Sequence, residues 1–245
     1  LKRCFSDWNP QYFFHLAAFV TPGRDSDHWA LQFQETVWPS LALASALPTT
    51  LKAALFFGSC EEYGNARPPF REDQALRAFS TYGWAKISGF HGIGCIANQR
   101  GLPWIYVRPF LTLGPQQGAM QMLIPSLIHA CVNDKEIALT AGEQTRDFLF
   151  IEDLLGMVEK ILAQPQALIG RAINLCTGQP RTVREIGELI RGLAGGGRLR
   201  WGAVPYRTEE AMEFYGDDSL WKETYGPYVF TPLEKALRLT IDSYL

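Results

Sequence analysis

The sequence has no apolar run approaching the roughly 18 residues that a membrane-spanning helix needs. It has no basic excess: 23 Lys and Arg against 25 Asp and Glu leave a formal net charge of −2. The basic residues are scattered instead of striped, which argues against nucleic acid or another polyanion as partner. No positively charged leader precedes an apolar stretch, so a cytoplasmic location is expected. The five cysteines, Cys4, Cys60, Cys95, Cys131 and Cys176, form no CxxC pair and no Cys/His spacing suited to zinc, so no metal site is expected. They read as buried free thiols. Internal repeats and low-complexity tracts are lacking too. What is present is a chain of 245 residues with 47% hydrophobic content, enough to bury a large core in one or two domains.

The most informative segment is Ser80-Thr81-Tyr82-Gly83-Trp84-Ala85-Lys86. A helix places residues i and i+4 on one face, so the Tyr82 phenol and the Lys86 ammonium can converge. A nearby ammonium favours the phenolate, which suits Tyr82 to moving a proton on or off a hydroxyl. Upstream, the apolar end of Leu51–Phe57 reads as a buried strand. Gly58-Ser59-Cys60-Glu61-Glu62-Tyr63-Gly64 follows it. That segment delivers a hydroxyl and carboxylates to a sheet rim, where open α/β sheets bind ligands. The alternative is that Ser59 caps a turn and Glu61 and Glu62 face solvent.

The rest of the chain alternates. Helices are expected over Asp25–Leu47, with Pro39 kinking or breaking it, and over Thr81–Gln99, Ala119–Val132, Glu152–Ala163 and Thr182–Leu193. Strands are expected at Tyr12–Leu16, Leu51–Phe57, Trp104–Arg108 and Ala172–Leu175, with Gln144–Phe150 extended. Thr182 with Glu185, and Thr231 with Glu234, form capping-box patterns, the second opening a last helix that ends near Tyr244. Strands separated by helices predict a mostly parallel sheet. His15 reads as structural, and His91 lies off the Tyr82 face.

In order and spacing the chain resembles the extended short-chain dehydrogenase/reductases, and within them the nucleotide-sugar epimerase/dehydratase family. Phe14-His15-Leu16-Ala17-Ala18 resembles the strand and loop beside the nicotinamide. Gly58–Gly64 resembles the serine-bearing strand end. Tyr82 and Lys86 match the YxxxK pair. Arg108-Pro109-Phe110 with Gly114-Pro115, Arg146-Asp147-Phe148 with Asp153, and Asn174–Gly178 with Thr182 and Glu185 match three later motifs.

The resemblance implies an α/β Rossmann-like, mostly parallel sheet with a smaller C-terminal substrate-binding domain. The cofactor domain would comprise 1–112 and 143–178, and the substrate domain 113–142 and 179–245. NAD or NADP would lie against Leu16, Ala17, Ala18, Phe57, Gly58, Tyr82, Lys86 and Pro109. A nucleotide-diphosphate sugar would meet Ser59, Cys60, Leu111, Arg146 and Arg207; the other reading of both arginines is an ordinary surface residue or an ion-pair partner of a neighbouring acid. Tyr82, Lys86, Ser59 and Glu61 would carry the chemistry, and a homodimer would form through the helices Asp25–Leu47 and Thr81–Gln99, with Phe90, Ile93 and Ile96 as candidate contacts.

Several positions depart from the family pattern. No GxxGxxG turn between a strand and a helix is found, so a block on the order of 60 residues, at about 30 per βαβ unit, is expected to be missing and the sheet N-terminally incomplete. Leu111, Leu113 and Thr36 stand where the family usually has Asn, often Tyr, and often Asn. Cys60 and Glu61 stand where one dehydratase branch has an Asp that helps a hydroxyl leave and a proton-abstracting Glu. Three functions fit: an epimerase or dehydratase working by transient oxidation of a sugar hydroxyl, an NADPH-dependent 4-keto-6-deoxy-sugar nucleotide reductase, and a non-catalytic remnant acting as a binding or assembly subunit.

Overall fold

Two adjacent apolar runs organise the molecule. In a computed structural model, Ala53–Phe57 and Trp104–Pro109 are neighbouring parallel strands at the centre of a four-stranded sheet. The structure describes residues 1–20, 28–118 and 121–245, with Ser6 as backbone only. Asp25 and Ala119, the expected starts of two helices, lie outside the described residues.

The chain opens with α1 (Lys2–Trp8) and β1 (Tyr12–His15). A helical stretch then runs through α2 (Trp29–Gln32), a π turn (Phe33–Val37) and α3 (Trp38–Ala46). Pro39 therefore does not break this stretch. Proline has no N–H to close the i→i+4 ladder, and the wider π turn sits directly before it. After β2 (Ala53–Phe57) come a 3-10 turn (Cys60–Glu62), α4 (Thr81–Arg100), β3 (Trp104–Pro109) and β4 (Leu111–Leu113). Next are α5 (Leu123–Val132), β5 (Glu136–Ala138), β6 (Thr145–Arg146), β7 (Phe148–Phe150), α6 (Ile151–Ala163) and β8 (Arg171–Leu175). The chain finishes with β9 (Arg181–Thr182), α7 (Val183–Ala194), β10 (Arg198–Arg200), β11 (Glu213–Phe214), α8 (Ser219–Tyr225) and α9 (Leu233–Asp242).

The main sheet has the order β1-β2-β3-β8, all parallel. Both faces are covered, and the two-residue side-chain period assigns each residue to a face. Leu55, Ile105 and Val107 pack with Met157 and Ile161 of α6 and with Trp221 of α8. Ala54, Phe56, Trp104 and Tyr106 pack with Ala44, Leu47 and, from α4, Ile93 and Ala97. A separate cluster joins Leu113, Phe148 and Phe150 to α5, α7 and α9. Among the described residues no helix is long and apolar enough to cross a membrane.

Two local readings are corrected. The Thr182–Glu185 capping box forms at α7, but α9 starts after Pro232 with no side-chain cap. The Thr231 hydroxyl donates instead to Asp153 Oδ1 at 2.9 Å. Of the five thiols, Cys60, Cys131 and Cys176 are buried, whereas Cys4 and Cys95 are exposed.

His15 closes β1 and is buried, with Nε2 2.8 Å from Ser40 Oγ. Burial first, and then the Lys86 charge, push its imidazole down to about 4. Between pH 6.5 and 4 an unfolded His15 binds a proton that the folded one refuses. Its contribution is therefore complete above 6.5 and lost as the pH falls through 4. Wild type should lose on the order of 3 kcal/mol across this window that His15→Gln does not lose. Denaturant titrations of both proteins at several pH values check this.

Candidate active site

Three strand ends and one helix start meet at the carboxyl edge of the main sheet. Leu16, Ala17 and Ala18 leave β1; Leu16 and Ala17 are exposed and Ala18 is half-buried. Phe57, Gly58 and Ser59 leave β2, and Pro109 ends β3. Ser59 starts the 3-10 turn, its Oγ accepting the Glu61 N–H at 3.2 Å. Ser80 caps α4 by accepting the Gly83 N–H at 3.0 Å, and its hydroxyl reaches Glu61 Oε2 at 3.4 Å. Gly83 lets the helix start pack on this turn: a Cβ there would fall 2.7 Å from both Ala78 Cβ and the Glu61 carbonyl. The cap fixes where Tyr82 emerges.

Tyr82 is half-buried, and Lys86, one turn on, is buried. The Lys86 Nζ lies 5.7 Å from the centre of the Tyr82 ring and donates to the Phe57 carbonyl at 2.7 Å. Burial lowers the Lys86 ammonium to about 8, with Glu62 opposing the shift. The Tyr82 phenol moves opposite to the expectation. Burial raises it, Cys60, Glu62 and Glu61 add to the rise, and the adjacent Ser59 side chain opposes them. Desolvation sets the direction here, so Tyr82 holds its proton in this state.

The structure thus brings Tyr82, Ser59, Cys60, Glu61 and Lys86 together. Cys60 is buried, and burial raises its thiol well above the ordinary range. Leu111 is half-buried in β4, its N–H donating to the Asp147 carbonyl at 3.2 Å. Arg146 lies within the influence of Glu61 and Cys60. Its Nη1 donates to the carbonyls of Thr145 and Ala211 at 2.7 and 2.8 Å, and its Nη2 pairs with Glu210. Arg207 is exposed.

Sequence reasoning missed the layer behind the cluster. Glu62 is fully buried, not at the rim or in solvent. Its Oε1 accepts the Ser59 N–H and the Tyr106 hydroxyl, both at 2.9 Å, and its Oε2 accepts Arg108 Nε at 2.7 Å. Arg108 is 1% exposed and lies over the rings of Phe90, Tyr63 and Tyr106. The available signal was Ser59-x-x-Glu62, a capping box, and it forms.

Next to Tyr82, the Thr81 hydroxyl is buried with no hydrogen-bond partner. An unmatched buried hydroxyl costs about 1–3 kcal/mol. Thr81→Val, of similar shape, is expected to stabilise the fold by about 1 kcal/mol, read as a higher denaturant midpoint with an unchanged slope.

The fold and this cluster define an α/β protein of the Rossmann type, with a tyrosine–lysine pair at the strand carboxyl ends. A model of the NAD dependent epimerase/dehydratase family matches residues 1–176, and the chain belongs to that family. An uncharacterized UDP-glucose epimerase of Bacillus subtilis is 26% identical over 188 residues, covering 74% of this chain and 58% of that protein. The chain spans about half the length of the curated relatives it matches. The crystal structure of a Thermotoga maritima UDP-glucose 4-epimerase with UDP-glucose superposes with a TM-score of 0.89 at 23% identity, covering 99% of this chain and 80% of that one. A Bacillus cereus UDP-glucuronic acid 4-epimerase, in complex with UDP-glucuronic acid and NAD, gives 0.88 at 20% identity, covering 99% and 77%.

Proposed function

We propose that this chain acts on nucleotide-diphosphate sugars as an NAD-dependent epimerase or dehydratase, with Tyr82 as the acid/base. The observation that carries the reading is the convergence of Tyr82, Ser59 and Lys86 at the carboxyl ends of parallel strands. The residues fit the nicotinamide and ribose half of the cofactor: Leu16, Ala17, Ala18, Phe57, Gly58 and Pro109 offer apolar and small surfaces at the rim, beside the Lys86 ammonium. Among the described residues no glycine-rich strand-to-helix turn offers itself to the pyrophosphate. When bound, NAD would supply the acceptor and donor of hydride.

In this reading Tyr82 takes the proton of a sugar hydroxyl, and Ser59 hydrogen-bonds the same oxygen as charge develops. The step needs the ionised phenol, against the direction that burial sets; the Ser59 hydrogen bond and the Lys86 charge 5.7 Å from the ring centre favour that form. Glu61, held near Tyr82 by Ser80, would abstract the proton for loss of water. In epimerisation the keto-sugar turns over instead and Tyr82 returns the proton. Because Lys86 loses its ammonium near pH 8, turnover should fall on the alkaline side of that value, checked by a pH–rate profile of wild type.

The substrate's diphosphate would engage Arg146 and Arg207, with Cys60 and Leu111 along the sugar. The partition into a cofactor domain (1–112, 143–178) and a substrate domain (113–142, 179–245) belongs to the same proposal, as does a cytoplasmic setting. A homodimer would pair Trp29–Ala46 and Thr81–Arg100 with their copies. Phe90, Ile93 and Ile96 pack in the monomer core; the exposed Trp38 and Trp84 on these helices are the better contacts. Sedimentation as monomer only at micromolar concentration would reject the dimer.

A second reading, a reductase that consumes NADPH on a 4-keto sugar, is supported by the phenol that keeps its proton. Stoichiometric loss of reduced cofactor identifies it, since an epimerase or dehydratase recycles its hydride. Calorimetry with NAD and NADP tests both readings. Heat with neither, from folded protein, leaves a binding or assembly subunit.

A further inference from the structure

Behind the proposed reacting groups sits a buried carboxylate that the chemistry above does not use. Glu62 follows Ser59 by three residues, in the 3-10 turn, and is fully buried. One oxygen takes the Ser59 N–H and the Tyr106 hydroxyl; the other takes Arg108 Nε. The site is tightly built. A Cβ on Gly58 would fall 2.3 Å from the Tyr106 ring and 2.4 Å from Glu62 Oε1. The Tyr106 hydroxyl also lies 3.1 Å from the Lys86 carbonyl, so one phenol touches both the carboxylate and the backbone of the proposed catalytic helix turn.

A buried ion pair is seldom worth more to stability than a well-packed apolar pair of similar size. The Glu62–Arg108 pair therefore invites a role beyond packing, and its placement gives one. Glu62 accepts the Ser59 N–H on one side, and on the other the Tyr106 hydroxyl, 2.9 Å from its Oε1 and 3.1 Å from the Lys86 carbonyl, joins it to the helix turn that carries Tyr82 and Lys86; its charge opposes the fall that burial imposes on the Lys86 ammonium. The other titratable groups around Lys86 are accounted for: His15 from β1 is held neutral, Tyr82 shares its helix, and Tyr106 and Arg108 stand on β3 behind Glu62.

We propose that Glu62 is a positioning residue, holding Ser59 in place through its backbone N–H and balancing the charge of the buried Lys86. The proposal rests on the reading of Tyr82, Ser59 and Lys86 as the reacting groups. It specifies that the carboxylate works from behind the site and touches neither substrate nor cofactor. Arg108 and Tyr106 fix the carboxylate so that it faces Ser59.

The test follows the Lys86 side chain itself, by side-chain NMR titration of lysine-labelled protein, with the signal assigned through Lys86→Arg. Glu62→Gln keeps an oxygen for the Ser59 N–H but removes the charge. Its Lys86 midpoint should move down from about 8 by on the order of one pH unit, and the alkaline limb of turnover should move with it. A folded Glu62→Gln protein with an unmoved Lys86 midpoint overturns the proposal. If that variant does not fold, the double variant E62M/R108M removes both charges as an apolar pair, and a downward shift, smaller because the Arg108 charge goes too, is required of it. The titration needs no activity, so it is separable from the reading it rests on. A shifted midpoint in Glu62→Gln, beside undiminished turnover in Tyr82→Phe, keeps the charge-balancing role and removes the acid/base one.

Discussion

Tyr82→Phe is expected to lower turnover by on the order of 10²–10⁴-fold, the contribution typical of a positioned acid/base group, with little change in stability. The substitution removes one oxygen and keeps the ring. Tyr82 emerges at the second residue of α4 and is half-buried. Burial already keeps its hydroxyl protonated, so the loss falls on proton transfer and not on a charge the fold relies on. Binding of a nucleotide sugar should persist, so the fall should appear in kcat more than in KM. Thermal unfolding and steady-state kinetics on the same preparation check both halves. A variant that unfolds, or one that loses only affinity, contradicts the assignment.

Arg108→Met is expected to destabilise the fold by about 3–5 kcal/mol, the range for stripping one partner from a buried ion pair. The guanidinium is 1% exposed and its Nε is 2.7 Å from Glu62. Without it, a carboxylate with no exposure keeps only the Ser59 N–H and the Tyr106 hydroxyl as partners. Burial by itself would lower the Arg108 proton affinity, and Glu62, Tyr63 and Tyr106 together reverse it to a net rise. E62M/R108M should recover most of the loss, because it removes both charges. Denaturant unfolding of wild type, Glu62→Met, Arg108→Met and the double variant completes the cycle. A double variant no more stable than Arg108→Met would show that something other than the charge pair carries the effect.

The parts of this account legible in the sequence are those that depend on short periodicities. The central strands were readable because Ala53–Phe57 and Trp104–Pro109 are apolar on both faces, the mark of a parallel sheet covered twice. The start of α4 was readable from residues that lie side by side in the chain. What failed depended on partners remote in sequence. Arg108 reads as a motif member on a strand until Glu62, 46 residues away, is placed beside it. Arg146 reads equally well as a phosphate ligand or an ion-pair partner until Glu210 comes within reach from 64 residues on. Thr231 reads as a cap until Asp153 is seen to take its hydroxyl. Pro39 reads as a helix breaker because the π turn that accommodates it has no residue signature of its own. The direction of the Tyr82 shift needed the depth of burial, which spacing alone does not contain.

The most direct measurement follows hydride. The protein is mixed with NAD and a nucleotide-diphosphate sugar that it turns over, deuterated at the sugar carbon bearing the oxidised hydroxyl, and label is traced into nicotinamide and into product over one turnover. Wild type is expected to move deuterium from sugar to cofactor, and Tyr82→Phe, with NAD still bound, to do so on the order of 10²–10⁴-fold more slowly. Equal transfer by both proteins would contradict the role given to the phenol, and product formed by wild type with no label ever reaching the nicotinamide would contradict transient oxidation itself.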